Sequence, residues 1–195
     1  MIDYWFPIGI YRAQYPKNDE VKTVIQDYIP NQTSPMDNNI GWTFWRKMHL
    51  NNPINLTELP NTEIVQLCNW IQNETNSYAK HFNSSEDYTV NDAWLNVYHK
   101  NDFQEPHFHP GYDFSAVYYV QIPENSGSLV FENPLLGYEM RPIKTKIETT
   151  LNQTSVFYRP IEGQLLIFRS NLRHGVLPHA NEIPRISIAC NLRSV

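Results

Sequence analysis

Three histidines in the second half of the chain have the spacing expected of a metal site. His107 and His109 stand two residues apart in the stretch Glu105-Pro-His-Phe-His-Pro110. Residues two apart in an extended segment project to the same side, so the two imidazoles can converge on one ion. His174, which follows the apolar stretch Leu165–Phe168, is the best candidate for a third ligand. Three such ligands leave coordination positions open, as in non-haem iron(II) sites that use oxygen, although zinc, copper and nickel also bind imidazole.

An arginine and a serine follow on the next predicted strand, where Arg185 comes eleven residues after His174. Side chains alternate along a strand, so Arg185 and Ser187 share a face. A guanidinium buried beside a metal needs an anion, and it binds a carboxylate through two parallel hydrogen bonds, to which Ser187 can add a third. A dicarboxylate held by the metal at one end and by Arg185 at the other fits this arrangement. The alternative is a surface arginine that pairs with a nearby carboxylate such as Glu182.

The elements that must position these residues are short strands, which dominate the sequence from Asp92 onward. Turn signals such as Asn125-Ser-Gly127 separate the apolar stretches. The predicted strands are Ala93–His99, Pro106–His109, Ser115–Gln121, Ser128–Glu132, Ser155–Tyr158, Gln164–Arg169, Gly175–Leu177 and Arg185–Leu192. This number of short strands with hairpin signals predicts a mainly β, α+β chain with a β-sandwich or jelly roll.

The sequence predicts one domain that spans residues 1–195. Residues 1–90 are expected to form helical and irregular segments that support a β core formed by residues 91–195. Apolar residues at helical spacing predict one helix around Val21–Tyr28 and a second from about Thr62 to His81, after Asn61. The prolines between them predict loops, with one short strand near Trp42–Met48. The helices are expected to pack on one sheet of the jelly roll.

Composition and charge exclude few functions, but they bear on the partners and the cellular location of the protein. The formal net charge of −5 disfavours a nucleic-acid partner, which needs a basic footprint. No apolar run or basic N-terminus suggests a membrane span or signal peptide, so we expect a cytoplasmic protein without a membrane partner. Cys68 and Cys190 are expected to be buried, reduced thiols. The oligomeric state stays open, a homodimer included.

The ordered motifs resemble those of the prolyl-4-hydroxylase-like 2-oxoglutarate/Fe(II) oxygenases. Members carry a similar E-P-H-F-D stretch after a strand with an early tyrosine, here Asn96-Val-Tyr98. The apolar strands, His174 and Arg185-Ile-Ser187 follow in the family's order. The H-x-H-P stretch is most similar to that of bacterial and phage members, which suggests a bacterium or a phage-infected cell. The resemblance spans about residues 92–193, with a weaker echo at Trp5-Phe-Pro7.

The resemblance implies a double-stranded β-helix that uses Fe(II), O2 and 2-oxoglutarate. The co-substrate would be decarboxylated to succinate while an unknown small-molecule or peptide substrate is oxidised, most often by hydroxylation. By position, His107 and His174 resemble two histidine ligands, and Arg185 resembles the clamp for the far carboxylate of 2-oxoglutarate. Tyr98 and Tyr119 resemble the phenolic residues that assist the clamp.

One position departs from the family pattern. His109 stands where the second ligand is usually an Asp or Glu. Three neutral imidazoles would leave more positive charge on the iron, which favours an anionic co-substrate. Alternatively, Asp113 reaches the metal from the turn at Pro110-Gly111. Period-two geometry favours His109.

Further side chains are assigned by strand parity. Trp94 shares a face with Asn96 and Tyr98, so Trp94 and Asn96 are expected to line the substrate pocket. The remaining histidines, together with Lys100, are expected at the surface: His49, His81, His99 and His179.

Two other functions fit parts of the pattern. A cupin-type dioxygenase or isomerase also uses H-x-H, a later acid such as Asp113 and a distant histidine. The interval between His109 and His174 is long for that pattern, and a cupin has no stated need for Arg185. A jelly-roll module that binds a sugar or peptide would suit the aromatic content of 13%.

Overall fold

Two antiparallel sheets form most of the structure, a computed structural model that describes residues 3, 6–29, 61–135, 137 and 143–195. The strand predicted near Trp42–Met48 lies outside the described residues, as does His49. The strands in chain order are β1 Tyr11–Gln14, β2 Tyr88–Tyr98, β3 Gln104–His107, β4 Phe114–Gln121, β5 Leu129–Glu132, β6 Ser155–Tyr158, β7 Gln164–Arg169, β8 His174–Val176 and β9 Arg185–Ser194.

The larger sheet has the strand order β1-β7-β4-β9-β2, and the smaller sheet has the order β3-β8-β5-β6. β9 lies between β4 and β2 and is buried at every position from Arg185 to Leu192. Ile186 and Ile188 belong to the apolar core under the helices, whereas Arg185 and Ser187 line a cavity between the sheets. Alternation along one central strand therefore places the polar face of β9 in the interior.

The helices α1, Asn18–Tyr28, and α2, Thr62–Ala79, pack on the larger sheet. Asn61 caps α2, because its side-chain oxygen accepts from the backbone N–H of Glu63 and of Ile64. The buried stripe of α2 includes Ile64, Leu67 and Ile71. A short 3-10 helix, Lys80–Phe82, follows. None of the helices in the described part of the chain is both long and apolar enough to cross a membrane.

The mainly β jelly roll with helices on one sheet is confirmed. Each of the eight predicted strands corresponds to an observed one, although most boundaries differ by one or more residues and one observed strand was not predicted. β2 begins at Tyr88 rather than Ala93, and β3 ends at His107 rather than His109. β1 was not predicted, because the alternation in Tyr-Arg-Ala-Gln covers only four residues, too few to indicate a strand without its pairing with β7.

Candidate metal centre

The three predicted histidines come together between the two sheets. His107, His109 and His174 each offer a ring nitrogen, and these atoms lie within 4.8 Å of one another. Their ring centroids are separated by 4.5 to 5.2 Å. His107 and His174 are cross-strand partners in the pairing of β3 with β8, so the smaller sheet itself brings these two rings together.

Hydrogen bonds fix the tautomer of two of the rings. Nδ1 of His107 lies 2.8 Å from the Glu105 carbonyl oxygen, and Nδ1 of His174 lies 2.8 Å from that of Leu172. A carbonyl can only accept, so both Nδ1 atoms carry the proton and the lone pair of each neutral ring is on Nε2. This orientation by a backbone carbonyl is common for metal-binding histidines.

His109 reaches the cluster from a loop instead of a strand. β3 has ended at His107, so the prediction of a strand through His109 is wrong. The backbone N–H of His109 turns away to donate to the Ser170 carbonyl at 2.9 Å, which breaks the ladder. The ring nevertheless lies beside those of His107 and His174, and the Trp94 ring is 5.9 Å away.

Asp113 points elsewhere. Its carboxylate accepts a hydrogen bond from the backbone N–H of Ser194 at 3.0 Å, at the exposed end of β9. It is absent from the group of potential ligands that the described residues form. The structure therefore assembles His109, not Asp113, with His107 and His174.

Arg185 is fully buried in the same cavity that the histidines line. Its Nη1 donates to Ser187 Oγ at 3.1 Å, whereas Nε and Nη2 have no hydrogen-bond partner among the described residues. The Tyr98 and Tyr119 ring centroids are 4.8 and 5.2 Å from the guanidinium carbon. Glu182, the alternative partner, pairs with Lys100 at the surface.

The Tyr119 hydroxyl is another buried group with no hydrogen-bond partner in the described part of the chain. Burial raises the pKa of Tyr119 to about 12, although the nearby Arg185 guanidinium opposes this shift. The phenol therefore stays protonated at neutral pH and can donate a hydrogen bond. Burial likewise raises the pKa of Tyr98, again against the effect of Arg185.

One cavity is lined by both the imidazoles and the guanidinium. Trp94 and Asn96 line it, as strand parity predicted. Gln104 and Ser115 also line it and were missed. Each lies at the start of a strand, where alternation gives little indication of which face a side chain takes.

One histidine prediction was wrong. His179 is fully buried, not at the surface, because the backbone folds it under the β2–β3 loop. Its Nε2 lies 2.8 Å from the Ile183 carbonyl oxygen, and its backbone N–H donates to Asp102 O at 2.9 Å. His81 and His99 are exposed as predicted.

Comparison with known families gives the class of protein. The sequence model of the family described as "Putative 2OG-Fe(II) oxygenase" matches residues 92–191, which is just over half of the chain. The chain belongs to this family. It is therefore an oxidoreductase, a 2-oxoglutarate-dependent dioxygenase that uses Fe(II), 2-oxoglutarate and O2. No curated protein matches the sequence significantly.

Solved structures share the double-stranded β-helix fold. A Pseudomonas putida prolyl-4-hydroxylase aligns with a TM-score of 0.59 at 14% identity, over 95% of this chain and 85% of its own. A viral collagen prolyl hydroxylase from Paramecium bursaria Chlorella virus-1, in complex with 2-oxoglutarate, aligns with a TM-score of 0.59 at 15% identity. The alignment covers 95% of this chain and 96% of that protein. An oxidoreductase of the 2OG-Fe(II) oxygenase family from Burkholderia pseudomallei aligns with a TM-score of 0.51 at 16% identity. The alignment covers 67% of this chain and 56% of that protein.

The residues present fit the groups that the family uses. Three converging imidazoles suit a divalent transition metal with open positions. A buried guanidinium with two unsatisfied nitrogens suits one end of a dicarboxylate, since an unpaired buried cation is costly. Both features lie in one cavity, as an anion that bridges them requires.

Proposed function

We propose that His107, His109 and His174 hold Fe(II), and that Arg185 with Ser187 binds the far carboxylate of 2-oxoglutarate. The observation that carries this assignment is the fully buried Arg185, whose Nε and Nη2 have no hydrogen-bond partner in the described part of the chain. A carboxylate would satisfy both nitrogens with two parallel, charge-assisted bonds. No described acidic side chain forms an ion pair with this guanidinium.

The clamp is rigid before a ligand binds. Tyr98 and Tyr119 lie within cation–π distance of the guanidinium, and Ser187 Oγ accepts from its Nη1. The neutral Tyr119 hydroxyl supplies a further donor for the carboxylate. Little side-chain entropy is then lost on binding, which favours affinity.

When bound, Fe(II) and 2-oxoglutarate would activate O2, the oxidant: one oxygen atom would enter succinate as 2-oxoglutarate loses CO2, and the other would enter the substrate. The protein's task is to orient the reactants and exclude side reactions. The Nδ1 bonds of His107 and His174 keep both Nε2 atoms directed toward one point. Phe131 and Phe168 pack beside the His174 ring, with centroids at 6.0 and 4.6 Å, and limit water on that side.

Trp94 and Asn96 line the cavity, and we propose that the substrate binds beside them. Trp94 lies beside His109, so it can contact a substrate that approaches the metal. We propose a small-molecule or peptide substrate in the cytoplasm, since the net charge of −5 disfavours nucleic acid. Two structural neighbours are named prolyl hydroxylases, which makes peptidyl proline the first peptide to test.

Succinate formation tests the proposal. Purified protein is incubated in air with Fe(II), ascorbate, 2-oxoglutarate and a substrate panel that includes proline-rich peptides. We expect succinate that depends on His174 and Arg185 and is unchanged in His81→Ala, which alters an exposed histidine. Succinate no greater than that from His174→Ala would refute the proposal.

A further inference from the structure

Three buried polar side chains form a hydrogen-bonded chain beside the histidine cluster. Ser115 Oγ donates to Asn191 Oδ1 at 3.0 Å, and Ser170 Oγ lies 2.8 Å from Ser115 Oγ. A serine hydroxyl has one proton, and that of Ser115 points to Asn191, so Ser170 donates the second bond. All three residues are at most 5% exposed. Ser115 and Asn191 face each other across β4 and β9, so the chain is anchored in the larger sheet.

The backbone of Ser170 holds the loop that carries His109 at two points. Its carbonyl accepts from His109 N at 2.9 Å, and its N–H donates to Asp113 O at 3.1 Å. Ser170 itself lies in the turn between β7 and β8, outside any strand. The turn already continues from Arg169 at the end of β7, and the bond to Ser115 adds a side-chain tie between it and β4 of the larger sheet.

The two other histidines have a different support. His107 and His174 lie in paired strands, and their Nδ1 atoms meet backbone carbonyls of their own segments. His109 lies beyond the end of β3, where no ladder continues. Its backbone N–H is held by the Ser170 carbonyl.

We infer that Ser170 is a positioning residue for His109, acting through the Ser170–Ser115–Asn191 chain. The inference rests on the ligand role proposed for His109. Loss of the Ser170 hydroxyl removes the side-chain bond that fixes the turn beyond its backbone attachment to β7, and we expect the His109 loop to shift with it. Residues that orient a metal ligand typically change metal affinity by about 10- to 100-fold, so we expect Ser170→Ala to weaken metal binding by about tenfold.

A double-mutant cycle with Co(II) separates positioning from general stability. Co(II) dissociation constants and visible Co(II) spectra are measured for the wild type, Ser170→Ala, His109→Ala and the double variant. Ser170→Ala should weaken Co(II) binding and change the spectrum in the wild-type background, but add nothing in the His109→Ala background. Thr75→Val is the matched control, since Thr75 is a buried hydroxyl in α2 that bonds the Ile71 carbonyl. It should leave both readouts unchanged.

Each outcome decides the matter. An equal effect of Ser170→Ala in both backgrounds, or none in either, overturns the positioning role. If His109→Ala weakens Co(II) binding but Ser170→Ala does not, the inference alone fails and the proposed metal site stands. If His109→Ala binds Co(II) like the wild type, the ligand assignment fails and the inference with it. Should Ser170→Ala not fold, Ser115→Ala removes the same bond from its other end and is held to the same outcomes.

Discussion

Arg185 donates a hydrogen bond from Nη1 to Ser187 Oγ at 3.1 Å, two residues along the same face of β9. This bond satisfies one nitrogen of a fully buried cation and leaves Nε and Nη2 without a partner among the described residues. In a protein that never bound an anion here, the buried, half-satisfied charge would lower the stability with no gain in binding. The pair therefore links the stability of the empty fold to the binding of a carboxylate.

Replacing Arg185 with methionine should stabilise the protein without ligand while it weakens 2-oxoglutarate binding. We expect the free energy of unfolding to rise by about 1 to 4 kcal/mol, because an unsatisfied buried charge is exchanged for an apolar chain. We expect 2-oxoglutarate binding to weaken by about 2 to 5 kcal/mol, as for other truncated buried charge pairs. Chemical denaturation and calorimetric titration of the metal-loaded protein measure the two quantities.

The exposed Arg159 provides the control. Arg159→Met should change both quantities little, since surface charges contribute little to stability. A destabilised Arg185→Met protein that still binds 2-oxoglutarate would contradict the clamp.

Alanine substitutions of His109 and of Asp113 should have opposite effects on the metal content. His109→Ala removes a proposed ligand and should lower the Fe(II) bound per chain, whereas Asp113→Ala should retain the metal. His109→Asp should also retain it, because two histidines and a carboxylate form a common iron(II) site. Metal analysis after desalting measures all three variants. Metal loss in Asp113→Ala together with retention in His109→Ala would reverse the assignment.

Gly175 has no space for a side chain at the pairing of β8 with β3. A Cβ there would lie 2.8 Å from the Gln104 carbonyl oxygen and 3.1 Å from Pro106 N. These are backbone atoms, so Gly175→Ala must push β3 and its His107 outward. We expect a loss of about 1 to 3 kcal/mol in stability, as for other overpacked sites, together with weaker Co(II) binding.

Gly137→Ala is the matched control, because nothing lies within 4 Å of a Cβ at that position. It should bind Co(II) like the wild type. Normal stability and normal Co(II) binding in Gly175→Ala would mean that β3 is less closely seated on β8 than the structure places it.

The two thiols should be unreactive in the folded protein. Cys68 and Cys190 are both free and buried. Burial raises the pKa of Cys68 to about 11 and that of Cys190 well above its ordinary value, so neither forms the reactive thiolate at pH 8. Because the pKa of each thiol is higher in the folded than in the unfolded protein, the stability that the protonated thiols contribute is fully present below pH 9.0. It is lost as the pH rises above that value, which lowers the free energy of unfolding.

A thiol reagent should therefore modify neither cysteine at pH 8 and both after denaturation in guanidinium. Rapid labelling of Cys68 in the native protein would show that α2 separates from the larger sheet.

Strand alternation was enough to predict the shared face of Arg185 and Ser187, because local periodicity is visible in a sequence. The meeting of His107 and His174 comes from the pairing of β3 with β8, and it was predicted from residue type and the order of the family's motifs. The presence of His109 in the cluster was predicted, but the reason given, strand alternation, does not apply to it. It lies outside the strand, and its backbone N–H is held by the carbonyl of Ser170, which is 61 residues distant in the chain.

Other features that depend on long-range contacts could not be predicted. β1 forms only because Tyr11–Gln14 meets the edge of β7. His179 is buried because its backbone pairs with the β2–β3 loop at Asn101 and Asp102, a contact between distant parts of the chain. Gln104 and Ser115 enter the cavity through the way the two sheets face each other.

The most direct test of the site is an anaerobic titration of the Fe(II)-loaded protein with 2-oxoglutarate, followed by visible absorption. Chelation of the metal by the 2-oxo acid end should produce a metal-to-ligand charge-transfer band that saturates at one equivalent. The band should require much more 2-oxoglutarate in Arg185→Met and be absent in His174→Ala. A wild-type protein that binds Fe(II) but develops no such band would contradict the account.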